Sequence, residues 1–147
     1  MKSTIILCSG GARSGKSEFA EQLALSLKGR KAYVATGQAL DDEMKDRIKK
    51  HQLRRGKEWI TFEIPLHLHK NWEQIKNVSD VILIDCLTMF TSNHFFAHGD
   101  INTQEDANRI ESIILEELRL LLQEINNSND KTVIFVTNEI GLGIVPD

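Results

Sequence analysis

The sequence contains few of the features that define specialised classes of protein. Two of its 147 residues are cysteines, and nothing else in the sequence resembles a disulfide framework or a zinc-ligand set. Cys8 and Cys86 each end an apolar run, and we expect both to be reduced thiols in the core. The sequence has no internal repeat and no low-complexity tract. Together these absences favour an ordinary globular protein.

Excess charge and long apolar runs are also lacking. The formal net charge is −3, so the chain has no global positive field that would attract nucleic acid or an anionic membrane. The amino terminus has one lysine, Lys2, and a short apolar run, which predicts neither a signal peptide nor a membrane span. We therefore expect a cytoplasmic protein in which any anion-binding site is local.

The length and the apolar content favour one domain. A chain of 147 residues, 41% of them hydrophobic, buries about two-thirds of the surface of its unfolded state. Four apolar runs predict strands buried on both faces of a parallel sheet. These runs are Thr4–Cys8, Lys31–Ala35, Val81–Cys86 and Thr132–Thr137. We predict a single domain over residues 1–147.

Helical patterns lie between the strands. Phe19, Leu23 and Leu27 recur at intervals of four beside Ala20 and Ala24, which predicts an amphipathic helix. Glycine at position 29 is its expected stop. A longer helix is predicted to begin near Thr103 and to be ended by the stretch Asn126-Asn127-Ser128-Asn129. Its apolar stripe consists of Ile110, Ile113, Ile114, Leu118, Leu121, Leu122 and Ile125.

The middle of the chain is less regular. Residues 59–64 are interpreted as a strand or hairpin, and residues 66–76 as a short helix.

Strands that alternate with helices predict an α/β fold with a mainly parallel sheet, flanking helices and right-handed crossovers. Ligands of such sheets bind beyond the carboxyl ends of the strands.

The stretch CSGGARSGKSEF at residues 8–19 has the strongest functional signal. Gly10, Gly15, Lys16 and Ser17 match the G-x-x-x-x-G-K-[ST] pattern, between a predicted strand and a predicted helix. The loop's backbone N–H groups and the positive end of the helix favour bound phosphates. We expect Lys16 to reach the β- and γ-phosphates and Ser17 to bind Mg²⁺. The predicted phosphate loop comprises Gly10, Gly11, Ala12, Arg13, Ser14, Gly15, Lys16 and Ser17.

Asp85 follows the apolar run Val81–Ile84. A Walker-B-type acid occupies such a position when it holds Mg²⁺, or a water on Mg²⁺, beside a phosphate loop. The alternative is a carboxylate that caps the next segment. Because the phosphate-loop signal is strong, we predict that Asp85 binds the metal.

The charged segment 41–51 has acids at its start and bases at its end, the order that a helix dipole favours. On spacing alone, His51 is interpreted as a surface histidine in a basic run. In the functional alternative, neighbouring cations attract a triphosphate and favour a neutral imidazole that attacks phosphorus. These cations are Arg47, Lys50, Arg54 and Arg55.

Three sequence blocks together resemble one enzyme family. They are GGARSGKS at residues 10–17, LDDEM at 40–44 followed by Arg47-Ile48 and His51, and VTNEIGLGIVP at 136–146. This pattern resembles the bifunctional adenosylcobinamide kinase/adenosylcobinamide-phosphate guanylyltransferases of cobalamin biosynthesis. The resemblance implies a P-loop α/β domain, a homotrimer, and the use of Mg²⁺ with ATP and GTP as donors.

The resemblance also implies a reaction and a set of site residues. Such enzymes phosphorylate adenosylcobinamide and then transfer GMP from GTP to adenosylcobinamide phosphate through a guanylylated histidine, which His51 matches. Further positions match nucleotide contacts: Ala35, Thr36, Gly37, Gln52, Leu53, Arg54, Arg55, Glu63 and Asp85. Some relatives have glutamate at the position of Asp85, and either carboxylate serves a metal. Because family members continue past Pro146 with a further helix and a strand, we expect this chain to be C-terminally shortened.

Two other functions remain open from the sequence. The first is a P-loop small-molecule kinase without a covalent step, in which His51 only neighbours the site. The second is an inactive nucleotide-binding relative. Turnover without protein-bound GMP favours the first alternative, and GTP binding without product favours the second.

Overall fold

Five parallel strands form the centre of the protein. The computed structural model describes residues 1–11, 15–37, 45–46, 49–50, 53 and 58–138. Its strands are β1 (Thr4–Gly10), β2 (Lys31–Ala35), β3 (Trp59–Glu63), β4 (Val81–Asp85) and β5 (Thr132–Asn138). They lie in the order β1-β5-β4-β2-β3, and all neighbouring pairs are parallel. The predicted mainly parallel sheet is confirmed.

The apolar runs form the strands, with small differences at their ends. The residues Val81–Ile84 are all buried because β4 lies at the centre of the sheet. Strand β1 continues two residues past Cys8, whereas β4 ends one residue before Cys86. Cys86 instead caps the next helix, where its sulfur accepts a hydrogen bond from the Met89 N–H. Segment 59–63 is a single parallel strand and not a hairpin.

The described helices lie on both faces of the sheet. They are α1 (Lys16–Ser26), α2 (Trp72–Lys76), α3 (Leu87–Ala97) and α4 (Gln104–Asn126), with a 3-10 turn at Leu68–Asn71 before α2. The start of α4 is confirmed, since the Thr103 hydroxyl accepts a hydrogen bond from the Asp106 N–H at 3.1 Å. The sequence pattern does not predict helix α3. Residues 45–46 and 49–50 are also helical, and Lys50 pairs with Asp46 at 3.2 Å.

The prediction for the buried face of α1 was partly wrong. Phe19 is 64% exposed, whereas Ala20 and Ala24 are fully buried. The two alanines face the sheet because small side chains let the helix backbone lie close to the strands. Leu23 and Leu27 pack at the border of this contact. The helix ends at Ser26, three residues before the predicted stop.

The sheet separates two apolar clusters. On one face, α1 packs over residues that include Tyr33, Leu83 and Val136. On the other face, residues from α2, α3 and α4, among them Trp72 and Phe90, pack over β2, β4 and β5. Helices on both faces explain why the central strands are continuously apolar.

The carboxyl ends of the five strands meet at one edge of the sheet, which we call the carboxyl edge. The strand register aligns one residue from each strand in a row across the sheet: Cys8, Val136, Asp85, Ala35 and Glu63. The opposite side, where the strands begin, is the amino edge. The predicted phosphate loop follows β1, so it leaves the sheet at the carboxyl edge.

Candidate nucleotide-binding site

The phosphate loop connects β1 to α1. Gly15 has a φ of 81°, a left-handed conformation that glycine adopts at low cost. It stands immediately before α1, and its carbonyl accepts a hydrogen bond from the Phe19 N–H at 2.9 Å. This turn starts the helix at Lys16 and leaves the first N–H groups of α1 available to an anion.

A cavity of about 320 Å³ lies at this helix end, lined by Gly15, Lys16, Ser17 and Glu18. The Lys16 ammonium group donates a hydrogen bond to the Gly11 carbonyl at 3.2 Å, which keeps its charge beside the loop. The structure therefore brings the predicted lysine and serine to one cavity. Ala12, Arg13 and Ser14 lie outside the described residues.

Asp85 ends β4 at the carboxyl edge, as predicted. Its Oδ2 accepts a hydrogen bond of 2.6 Å from the Tyr33 hydroxyl. Helix α1, which carries Ser17 in its first turn, packs against β4. The serine hydroxyl and the carboxylate are oxygen donors of the kind that Mg²⁺ prefers.

Among the described residues, no three histidine, cysteine, aspartate or glutamate side chains are grouped so that they could hold an ion by themselves. Mg²⁺ at nucleotide sites is usually held by one or two carboxylates together with phosphates and water. The pair Ser17 and Asp85 fits that manner of binding.

Thr36 stabilises the turn that follows Asp85 through hydrogen bonds. Its side chain is fully buried. The Thr36 hydroxyl donates to the Cys86 carbonyl at 2.6 Å and accepts from the Cys86 N–H at 2.8 Å. The Thr36 N–H donates to the Asp85 carbonyl at 3.0 Å. Any contact of Thr36 with a nucleotide would therefore involve its main chain, because its hydroxyl is already hydrogen-bonded within the protein.

Two further side chains link the loops at the carboxyl edge. The amide of buried Asn93 donates to the carbonyls of Thr36 (2.6 Å) and Pro65 (3.0 Å), joining the loops after β2 and β3. The Thr88 hydroxyl accepts from the Asn138 N–H at 2.9 Å, joining α3 to the end of β5. The local sequence does not predict a role for these residues, because their partners are backbone groups far away in the chain.

The thiol of Cys86 lies beside this network. Burial raises the pKa of the Cys86 thiol above its ordinary value, although the Met89 N–H and the charge of nearby Lys16 oppose the rise. Cys8 is also buried, and neither cysteine is in a disulfide. The prediction of reduced core thiols is confirmed, and a protonated thiol is a poor nucleophile.

The other predicted nucleotide contacts divide into two groups. Ala35 and Gly37 are half-buried at the end of β2, and Glu63 is exposed at the end of β3 beside Ala35. Leu53 is 80% exposed. The predicted contacts that lie outside the described residues are Gln52, Arg54 and Arg55, together with the predicted nucleophile His51.

The parallel sheet and its phosphate loop define a domain of the P-loop NTPase class. A RadB recombinase structure matches with a TM-score of 0.53 and 17% identity, covering 95% of this chain and 66% of the recombinase. An ATPase of a bacterial type III secretion system matches with a TM-score of 0.59 and 12% identity, covering 93% of this chain and 44% of the ATPase. At these identities the likeness shows the fold alone.

Sequence comparison identifies the family within this class. Residues 6–147 match the family described as cobinamide kinase / cobinamide phosphate guanyltransferase, and the chain belongs to it. The bifunctional adenosylcobalamin biosynthesis protein CobU of Escherichia coli K12 is 39% identical over 97% of this chain and 79% of its own length. CobP of Pseudomonas aeruginosa is 37% identical over 93% of this chain and 72% of its own length.

These findings confirm the family resemblance seen in the sequence. The family consists of bifunctional enzymes, which places this chain among kinase and guanylyltransferase proteins. None of the helices in the described residues combines the length and the apolar character that a membrane span requires.

Proposed function

We propose that this protein phosphorylates adenosylcobinamide and transfers GMP from GTP to the resulting phosphate, giving adenosylcobinamide-GDP. The main supporting observation is that the phosphate loop and Asp85 share the carboxyl edge in a member of the cobinamide kinase / cobinamide phosphate guanyltransferase family. We propose a cytoplasmic homotrimer acting on adenosylcobinamide and its phosphate, within one domain over residues 1–147.

In the kinase step, a hydroxyl oxygen of adenosylcobinamide attacks the γ-phosphorus of ATP or GTP, and the hydroxyl proton is released to water. The bond from that phosphorus to the β-γ bridging oxygen breaks, and the nucleoside diphosphate leaves. Lys16 and the N–H groups at the start of α1 stabilise the negative charge on the phosphates. Ser17 and Asp85 would hold Mg²⁺, which neutralises phosphate charge when it is bound.

In the second step, an imidazole nitrogen of His51 attacks the α-phosphorus of GTP, and pyrophosphate leaves as the N–P bond forms. A phosphate oxygen of the substrate then attacks the same phosphorus, and the N–P bond breaks. The histidine thus divides one difficult transfer into two easier ones. The support for His51 as the nucleophile is its match to the histidine of the family pattern.

The test is the intact mass of the protein after incubation with GTP and Mg²⁺. We expect a mass increase of one GMP, labile in acid and mapped to His51, which is lost in His51→Ala. The control is His98→Ala, which removes a histidine that is exposed in the described part of the chain and should leave the adduct intact.

Other outcomes contradict the proposal in distinct ways. An adduct on another histidine, or full GMP transfer by His51→Ala, excludes the proposed nucleophile. Phosphorylation of adenosylcobinamide without an adduct favours a kinase that has no covalent step. GTP binding without product, in protein shown to be folded, favours an inactive relative.

A further inference from the structure

The Asp85 side chain is held by another residue of the sheet. Tyr33 lies in β2 and is paired in register with Leu83 of β4, two residues before Asp85. Tyr33 and Leu83 belong to the cluster beneath α1, so their side chains lie on the face of the sheet that this helix covers. The Asp85 side chain lies on the same face, because it follows Leu83 by two residues in the strand. The tyrosine ring therefore runs along this face toward the carboxyl edge, where its hydroxyl meets Asp85 Oδ2 at 2.6 Å.

The surroundings of Tyr33 restrict its movement. The residue is 8% exposed, and its ring meets Trp59 edge-on with the ring centroids 6.2 Å apart. Packing therefore fixes the ring independently of the hydrogen bond that its hydroxyl makes. A short hydrogen bond from a packed donor restricts the rotation of the acceptor carboxylate.

The backbone of Asp85 is held independently of its side chain. The Thr36 N–H binds the Asp85 carbonyl, and the Thr36 hydroxyl binds both polar backbone groups of Cys86. Because the main chain is fixed in this way, the remaining freedom of Asp85 is rotation of its side chain. The hydrogen bond from the Tyr33 hydroxyl restricts that rotation.

We propose that Tyr33 is a positioning residue that holds Asp85 through Oδ2, so that this carboxylate would bind the metal of a metal–nucleotide complex. This inference rests on the proposed function, since it requires Asp85 to bind the metal. Partners of metal-binding carboxylates typically change metal affinity by about 10- to 100-fold when they are removed.

The test uses Tyr33→Phe, which removes the hydroxyl and keeps the ring against Trp59. The probe is Mn²⁺, titrated into the full protein with a GTP analogue that resists hydrolysis and followed by electron paramagnetic resonance. We expect the Mn²⁺ affinity of the variant to fall about 10-fold. This readout does not depend on turnover.

A matched control separates positioning from a general loss of stability. Ser79 is fully buried at the amino edge, and its hydroxyl donates to the Ile75 carbonyl at 2.5 Å. Ser79→Ala therefore also removes one buried hydroxyl, but far from Asp85. We expect its Mn²⁺ affinity to match the wild type.

A double-mutant cycle then shows whether Tyr33 acts through Asp85. If it does, Tyr33→Phe should cause no further loss of Mn²⁺ affinity when added to Asp85→Asn. Unchanged affinity in Tyr33→Phe, an equal loss in Ser79→Ala, or an additive loss in the double variant would overturn the inference while leaving the proposed function intact. If the wild type binds no Mn²⁺ with the nucleotide analogue, metal binding by Asp85 fails, and this inference fails with it.

Discussion

Lys16 keeps its ammonium group against the backbone of its own loop. The contact with the Gly11 carbonyl is 3.2 Å long and exposed to solvent, so it is easily exchanged for a stronger partner. A triphosphate is such a partner, because its oxygens carry full negative charge. The lysine is therefore already near the place where phosphates would bind.

We predict that Lys16→Ala lowers the rates of both phosphoryl and guanylyl transfer, on the order of 100-fold or more, because both steps develop charge on the same phosphates. Steady-state assays of each step measure this. Lys31→Ala is the matched control, since Lys31 also donates to a glycine carbonyl, that of Gly29, at 3.0 Å but at the amino edge. Equal losses in both variants would contradict a role for Lys16 in phosphate binding.

At the scale of the elements, the beginnings of β2 and β4 are joined by an ion pair. Asp80 accepts hydrogen bonds from the backbone N–H of Arg30 at 2.8 Å and from its side chain at 3.2 and 3.3 Å. The side-chain hydrogen bonds of Arg30, followed by its backbone bond, lower the pKa of Asp80 to about 2. Gly29 allows this close approach, because a Cβ there would lie 2.8 Å from the Asp80 Cβ.

We predict that Asp80→Asn lowers stability at neutral pH by about 1 kcal/mol or less, since solvent screens a partly exposed pair. The pKa of Asp80 is depressed in the folded state, so its contribution is complete above the unfolded pKa near 4. It is lost as the pH falls toward 2. Urea unfolding at several pH values should therefore show the difference from wild type closing between about pH 5 and 2. A constant difference over that range would show that the charge of Asp80 is not responsible.

The sequence predicts the strands better than it predicts the helices. Runs such as Val81–Ile84 are apolar throughout, which is typical of the centre of a parallel sheet. Helix α3 was missed because LTMFTSNHFFA has apolar residues on every side and no helical period. The local sequence pattern also does not predict the contact between Tyr33 and Asp85. This contact depends on β2 lying beside β4, and the local pattern does not specify the order of the strands.

At the scale of the whole molecule, the helical layer opposite α1 contains a polar cluster. His94 of α3 and Glu117 of α4 are both buried and lie 2.6 Å apart. The other Glu117 oxygen accepts from the Leu68 N–H at 2.8 Å. One carboxylate thus joins both helices and the 3-10 turn, so it helps to hold three segments of this layer together.

We predict that Glu117→Leu destabilises the protein by about 3 kcal/mol, because it leaves buried polar partners without their acceptor. Urea unfolding measures the change. The adjacent Glu116 is the control, since it pairs with Arg119 at the surface, and Glu116→Leu should have a much smaller effect. Similar losses in the two variants would show that the buried carboxylate is not what joins these segments.

The spacing of the apolar residues is enough to predict that Glu117 lies on the buried side of α4, but it does not predict which residue Glu117 contacts. Ile110, Ile114, Leu121 and Ile125 are buried on one side of α4, and Glu117 lies among them at the same spacing. A charged residue at a core position predicts a buried partner. Which residue meets it depends on the packing of α3 against α4, and α3 itself had no signal. The same limit applies to His51, whose prediction came from a family pattern and not from local physics.

The pairing of β1 with β5 has a consequence for the order of folding. β1 spans residues 4–10 and its neighbour β5 spans residues 132–138, so the two segments leave the ribosome far apart in time. Parallel pairing over such a separation forms slowly, because a long loop must close before the contacts stabilise it. The phosphate loop is synthesised long before β5, the strand that supports β1. The newly made chain is therefore expected to bind nucleotide only after β5 has been synthesised and has paired with β1.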